Sequence, residues 1–249
     1  IIVIMKKTLL AILILSIACP VFAYNNADIA AVKKGKSIIN GDLSGADLSG
    51  MDLSGKNFSG TNFSEARFYK TNFDKCDLTN ASFYRSSLHN ASFRNAKLNF
   101  ANLNYAKFVS CDLTNADLTE GKIFRTNFHG SKILNAMFRK ADVQESNFEN
   151  IIGDHADFVE ANLNNAWLYR SKFPNAHFTN ANLYSTNFSE ATLANTDFIS
   201  ANLANANFSK ANLTNAKLDK AMLSGANFTQ ANLKNTEFRR AFLKNAKFK

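Results

Sequence analysis

The side chains in this chain that could do chemistry are few, and their spacing keeps them apart. Four histidines occur, His89, His129, His155 and His177, with at least 22 residues between neighbours. A metal centre needs three or four such ligands at contact distance. Asp42, Asp47 and Asp52 recur at steps of five and do not form the paired carboxylates of acid–base catalysis. Gly45, Gly50, Gly55 and Gly60 recur at the same step and build no phosphate loop. No catalytic residue, metal ligand or cofactor site is therefore expected. The aromatics beside cations are more informative. Tyr84, Arg85, Phe100, Tyr105, Lys122, Phe124 and Arg125 form one candidate interaction patch, and Trp167, Tyr169 and Arg170 a second. Aromatic plus Arg is the composition of interface hot spots. It could also stack sugars or bases. The plain alternative is that aromatic ladders simply stabilise an exterior through cross-strand pairs.

What must position these side chains is a period of five. From Leu43 to Phe248 every fifth residue is Leu or Phe, except Ile123, Ile133, Val143 and Gly153. Two residues before each sits a small residue, usually Ala, as in Ala46, Ala66, Ala81 and Ala246. A period of five fits neither a helix nor a plain strand. Fixed-period self-similarity marks a solenoid. Unit positions one and three are apolar and share a side, as alternate residues of an extended segment do. Positions four and five are Ser, Asn, Gly, Thr or charged, which is turn chemistry. Each unit reads as a short extended edge followed by a corner.

Runs such as Ala201-Asn-Leu-Ala-Asn and Ala46-Asp-Leu-Ser-Gly, repeated in phase from Gly41 to Lys249, resemble the pentapeptide-repeat family. The resemblance implies an all-β fold, a right-handed quadrilateral parallel β-helix of about ten coils at four units per coil. The central Leu or Phe and the small residue would both face inward. Leu43, Phe63, Phe83, Leu103, Phe198 and Phe208 are core residues on this reading. Residues twenty apart then stack, and the rod is roughly 50 Å long. One corner column reads Asn95, Asn115, Asn135, His155, Asn175, Asn195, Asn215, Asn235, whose amides can bond up the column. Another reads Glu65, Arg85, Tyr105, Arg125, Glu145.

Three segments are expected. Residues 1–23 read as a signal peptide, with Met5-Lys-Lys as a charged start, an apolar run from Thr8 to Ala18 and a cleavage pattern ending at Ala23. Residues 1–4 precede the plausible initiator and read as a gene-start artefact. The apolar run is too short for a membrane span. A rival reading makes Cys19, after Ser16-Ile-Ala, a lipoprotein cysteine, although Leu is usual where Ser16 stands. Residues 24–40 form a cap segment, with a short helix over Asn26 to Gly35, and residues 41–249 form the β-helix. Export implies an oxidising compartment. Cys76 and Cys111 are nonetheless 35 residues apart, not a multiple of twenty, so they fall on different faces as buried free thiols.

The beat falters between Gly121 and His155, which holds all four central exceptions. The stretch is either a packing variant or a kink that shapes a surface, and Ile151 would fill the space left at Gly153. The last coil is basic, with Lys234, Arg239, Arg240, Lys244, Lys247 and Lys249, which guards a bare sheet end against aggregation. Lys plus Arg is 29 against 20 Asp plus Glu, and without Lys6 and Lys7 the surplus is +7.

A non-enzymatic exported scaffold follows, a rod presenting flat polar faces to an unidentified protein or anionic envelope component. The family also includes quinolone-resistance members that bind DNA gyrase as DNA mimics. That role needs an acidic, cytoplasmic surface, and the basic charge and leader oppose it. Lys and Arg are scattered rather than in one stripe, so nucleic acid is not the expected partner. A square rod with one-unit edges offers no groove for a small-molecule substrate.

Overall fold

The computed structural model describes residues 25–249. The expected leader, its cleavage pattern and Cys19 lie outside the described residues. From Ser37 onward the chain winds into a square coil in which every ladder bridge is parallel and joins residues twenty apart. The first unit shows why. Asp42 points outward and pairs with Asn62. The Leu43 N–H donates to the Asn62 carbonyl at 2.8 Å, and the Asn62 N–H donates to the Gly41 carbonyl at 2.9 Å. Ser44 and Gly45 then turn the chain, and the Ala46 N–H closes the turn on the Leu43 carbonyl at 3.1 Å. The second turn residue has positive φ along the whole rod, +65° at Gly45 and +58° at Asn95. That is the φ pattern of a type II turn, which Gly and Asn accept with little strain. The outward ladders define four faces. Face 1 runs from Asp42, face 2 from Asp47, face 3 from Asp52 and face 4 from Asn57.

The core is a stack of rings. Leu43, Phe63, Phe83, Leu103, Phe198 and Phe208 are fully buried. Rings twenty residues apart lie nearly parallel, with centroids 4.7 Å apart for Phe138–Phe158 and 4.9 Å for Phe158–Phe178. That is the inter-strand spacing itself. Rings on opposite faces meet edge-on across the axis, as Phe188 of face 2 and Phe198 of face 4 do at 5.7 Å and 82°. Each buried ring contributes about 1.5–3 kcal/mol by area. Ala at the small position leaves room for it.

Where the small residue is Thr or Cys, its polar atom donates to the core-residue carbonyl 23 positions earlier. Thr71 reaches Leu48 at 2.9 Å, and Thr196 reaches Phe173 at 2.9 Å. Cys76 Sγ reaches Leu53 at 2.9 Å, and Cys111 Sγ reaches Leu88 at 2.6 Å. Both cysteines are free and buried. Burial pushes each thiol up to about 12, so neither ionises at neutral pH.

Helix α1, Asn26–Lys33, covers the start of the rod. The Asn25 side chain caps it by accepting from the Ala27 and Asp28 N–H groups at 3.1 and 3.3 Å. Val32 is fully buried, and Ile29 packs on the core. Asp28 Oδ2 accepts the Asp42 N–H at 3.0 Å, pinning the helix to the first coil. Ile38 is in phase with Leu43, packs on the core and donates its N–H to Asn57 at 3.0 Å.

The irregular stretch keeps its register, because the ladder runs unbroken through Lys122, Asp142 and Asn162. Its irregularity lies at the corners. Within it the turns over residues 123–126 and 148–151 show no short closing bond, nor does the turn over 108–111 in the coil before it. In two of them a buried hydroxyl takes its place. Ser131 Oγ accepts the Cys111 N–H at 2.9 Å and donates to the Phe108 carbonyl. Ser146 Oγ accepts the Thr126 N–H at 3.0 Å and donates to the Ile123 carbonyl. Gly153 is closely packed. A Cβ there would meet Phe173 at 2.6 Å and Ile133 at 3.1 Å. Phe173 and Ile133 of the neighbouring coils lie closest to that space, and Ile151 is itself fully buried.

Candidate functional site

The corner between faces 1 and 2 gathers most of the first aromatic patch. Tyr84, Tyr105 and Phe124 zigzag up it, with ring centroids 5.8 and 5.6 Å apart and planes near perpendicular. Such edge-to-face pairs contribute about 0.5–1.5 kcal/mol each. Arg85 lies over Tyr84 at 5.1 Å and near Tyr105 at 5.9 Å. Arg125 lies over Phe124 at 5.0 Å and bonds Glu145 through Nε at 2.7 Å. The Glu145 hydrogen bond and charge push the Arg125 guanidinium upward from its ordinary value. Arg85 has no carboxylate partner among the described residues. Two members of the patch stand aside. Lys122 is exposed on the face 1 ladder, paired to Asn102 and Asp142. Phe100 belongs to the turn between faces 4 and 1, across face 1 from Tyr105, and joins no ring pair.

Tyr105 and Arg125 hold φ of +61° and +51°. Left-handed backbone is costly for residues other than Gly, Asn and Asp, about 1–2 kcal/mol. The open turn over 123–126 underlies Arg125 itself. The second turn residue has positive φ along the whole rod, and Lys70, Phe100, Lys140 and Arg170 at other corners meet the same conflict.

The second patch divides. Tyr169 and Arg170 sit at the next corner, where Arg170 lies over Tyr169 at 4.8 Å and bonds Glu190 at 2.9 Å. The Arg170 hydrogen bond holds the Glu190 carboxyl below its usual range. Trp167 instead stands on the face 2 ladder, 53 % exposed. It shares a shallow hollow of about 660 Å³ with Arg125, Thr126, Asn127, Glu145, Asn147 and Asn165. The structure therefore brings Trp167 to Arg125 and joins the two patches at one place. Sequence spacing hid this, because the pair are 42 residues apart. Two turns of twenty plus two would have placed Trp167 beside that corner.

Two of the histidines keep local partners. His155 Nδ1 lies 2.9 Å from Asp154, and His89 Nδ1 2.9 Å from Ser87 Oγ. Among the described residues no three His, Cys, Asp or Glu side chains gather to hold a metal. No described helix is long and apolar enough to cross a membrane.

Comparison with known families places this geometry. The family model described as Pentapeptide repeats (8 copies) matches residues 42–80, 81–120 and 111–150, and the Pentapeptide repeat region model matches 171–248. The chain is a pentapeptide repeat protein. Its fold is the right-handed β-helix of that family. It is similar to the crystal structure of HetL, a pentapeptide repeat protein involved in heterocyst differentiation regulation from the cyanobacterium Nostoc sp. The likeness is 21% identical, covers 88% of this chain and 94% of HetL, and has a TM-score of 0.57. It is also similar to QnrB1, a plasmid-mediated fluoroquinolone resistance protein, at 16% identity over 83% of this chain and 92% of QnrB1, TM-score 0.53. At these identities the likeness carries the fold. No curated protein matches the pentapeptide repeat chain.

Proposed function

We propose that this pentapeptide repeat protein is a non-enzymatic, exported interaction scaffold whose corner between faces 1 and 2 docks its partner. The observation that carries the reading is the ladder at that corner, the Tyr84, Tyr105 and Phe124 rings with Arg85 and Arg125 over them. Tyr105 and Arg125 occupy left-handed sites that Asn fills on the diagonal corner. Aromatic rings beside Arg on a partly exposed corner have the composition of an interface hot spot. The +7 surplus and Arg85, which has no carboxylate partner, favour a partner with acidic groups, either an anionic envelope component or an acidic protein surface. The leader pattern of residues 1–23 supports export. A gyrase-directed DNA mimic is not favoured. Face 4 is the most acidic, with Asp77, Asp117, Asp157, Asp197 and Glu237, yet Lys97 and Lys217 interrupt its ladder and Arg139 pairs with Asp157 at 2.8 Å.

The test is affinity capture from cell-envelope extract with the parent and a Tyr105→Ala/Arg125→Ala variant. The variant should lose the captured partner while keeping its circular dichroism. Equal capture by both rejects the corner. Fractionation of cells expressing the chain from Met5 checks export, and retention in the cytoplasm rejects it.

A further inference from the structure

The face 2 ladder changes character at Trp167. On its C-terminal side the amides bond one another, Asn207 to Asn187 at 3.3 Å and Asn227 to Asn207 at 3.3 Å. On its N-terminal side Asn147 and Asn127 do not. Their Oδ1 atoms accept the Glu149 and His129 N–H groups at 2.8 and 2.9 Å, which fixes each amide in place. Among the described residues their NH₂ groups donate to no protein acceptor, and the exposed Asn165 amide makes no side-chain bond either. Three unbonded amides and one carboxylate–guanidinium pair therefore surround one exposed indole.

We infer that this hollow is a saccharide-binding subsite, seating one ring of a glycan chain against the Trp167 face. The chemistry selects that class. A pyranose ring has an apolar C–H face suited to an indole, and rim hydroxyls that both donate and accept. The Asn127 and Asn147 amides supply NH₂ donors in fixed planes, Asn165 supplies a freer amide, and Glu145 supplies a further acceptor. Phosphate-rich ligands do not match, because Glu145 at 2.7 Å balances the only cation lining the hollow, Arg125. A nucleobase strand would want successive stacking platforms, and the hollow has one. The hollow is of the size that small-ligand sites have. It is open along the rod, which lets a chain pass through. This deepens the interaction-scaffold reading, on which it rests for an envelope setting, by naming the ligand class of one surface.

Trp167 is the chain's only tryptophan, so its fluorescence reports the site directly. The full-length protein is titrated with chitotriose, cellotriose, inorganic phosphate and a short single-stranded DNA. A saturable emission change is expected with a trisaccharide and not with phosphate or DNA. Calorimetry on Trp167→Ala should show affinity for that sugar weakened about tenfold or more, and Asn147→Ala about three- to tenfold. Trp167→Phe should restore part of it, and Met137→Ala, on face 4, should bind sugar as the parent does. No saturable change with either trisaccharide at millimolar concentration overturns the inference. So does a saturable response to phosphate or DNA alone, or undiminished sugar binding by a folded Trp167→Ala. Failure here with envelope capture intact sinks only the sugar site. Sugar binding with capture unchanged in Tyr84→Ala/Arg85→Ala, which leaves every residue lining the hollow in place, sinks only the docking corner.

Discussion

The corner between faces 3 and 4 carries Asn at seven of eight successive turn sites from Asn95 to Asn235, whereas the diagonal corner carries Glu65, Arg85, Tyr105, Arg125 and Glu145 at equivalent sites. The backbone asks the same of both, φ near +58° at Asn195 and +61° at Tyr105. Asn answers it twice. It tolerates the left-handed conformation, and its amide bonds the next coil, as in Asn115 to Asn95 at 3.2 Å and Asn215 to Asn195 at 3.0 Å. His155 interrupts the column, and there Asn175 turns to Asp154 at 2.9 Å instead. The diagonal corner meets the same backbone demand less well and leaves aromatic edges and Arg85 facing solvent. One corner bonds coil to coil through its amides, and the other leaves ring edges and a cation exposed.

The largest expected effect tests what the two corners share. Phe198→Ala removes a fully buried ring stacked 5.1 Å from Phe178, and should cost about 3–5 kcal/mol in denaturant melts. Because the core is common, both corners should lose protection together in hydrogen exchange. Loss at one corner alone would show that they are separate units. Next comes Asn195→Ala, which places Ala at φ +58° and deletes the bonds to Asn175 and Asn215. Strain and lost bonds together should cost about 2 kcal/mol. A change below about 0.5 kcal/mol would mean that the Asn column does not bind the rod, and the contrast would fail.

Sequence spacing made the fold legible to a degree unusual for reasoning from single residues. The five-residue beat places Phe198 inside and Asn195 at a corner, and the step of twenty stacks Asn195 on Asn175. It could do so because no insertion breaks the phase. The surface was legible only in part. Tyr84, Tyr105 and Phe124 fall together by counting, but Phe100 does not, because a shift of five residues crosses a whole face. The Ser131 and Ser146 hydroxyls that replace turn bonds were hidden, since Ser at the small position reads as an ordinary variant. Trp167 was grouped with Tyr169 by proximity in sequence, although a ladder site and a turn site in one unit serve different neighbours.

A smaller effect lies on the Asn corner itself. Burial raises the Asp74 carboxyl, but hydrogen bonds from Arg94 and Ser92 and the Arg94 charge outweigh it and leave the group below its ordinary 3.8. Arg94 Nε donates to Asp74 Oδ2 at 2.9 Å. A folded value below the unfolded one means a contribution that is full above about pH 4 and disappears as the pH falls through the folded value. Asp74→Asn should therefore lower the urea midpoint at neutral pH and match the parent in strong acid. A constant gap between the two at every pH would show that the pair contributes through packing alone.

The smallest expected stability change is the most telling about the diagonal corner. Tyr105→Asn relieves about 1–2 kcal/mol of left-handed strain and loses two edge-to-face ring contacts of about 0.5–1.5 kcal/mol each. The two effects nearly cancel, so the melt should stay within about 1 kcal/mol of the parent. Partner capture should fall nonetheless, because the exposed ring is gone and Arg85 loses its second aromatic face. That pairing of outcomes separates the readings. A ring kept for stability would show a clear loss on melting with capture unchanged, and the aromatic ladder would then be only another way of bracing the exterior. A ring kept for recognition leaves the rod as firm as its Asn-lined diagonal and removes only what the rod can hold.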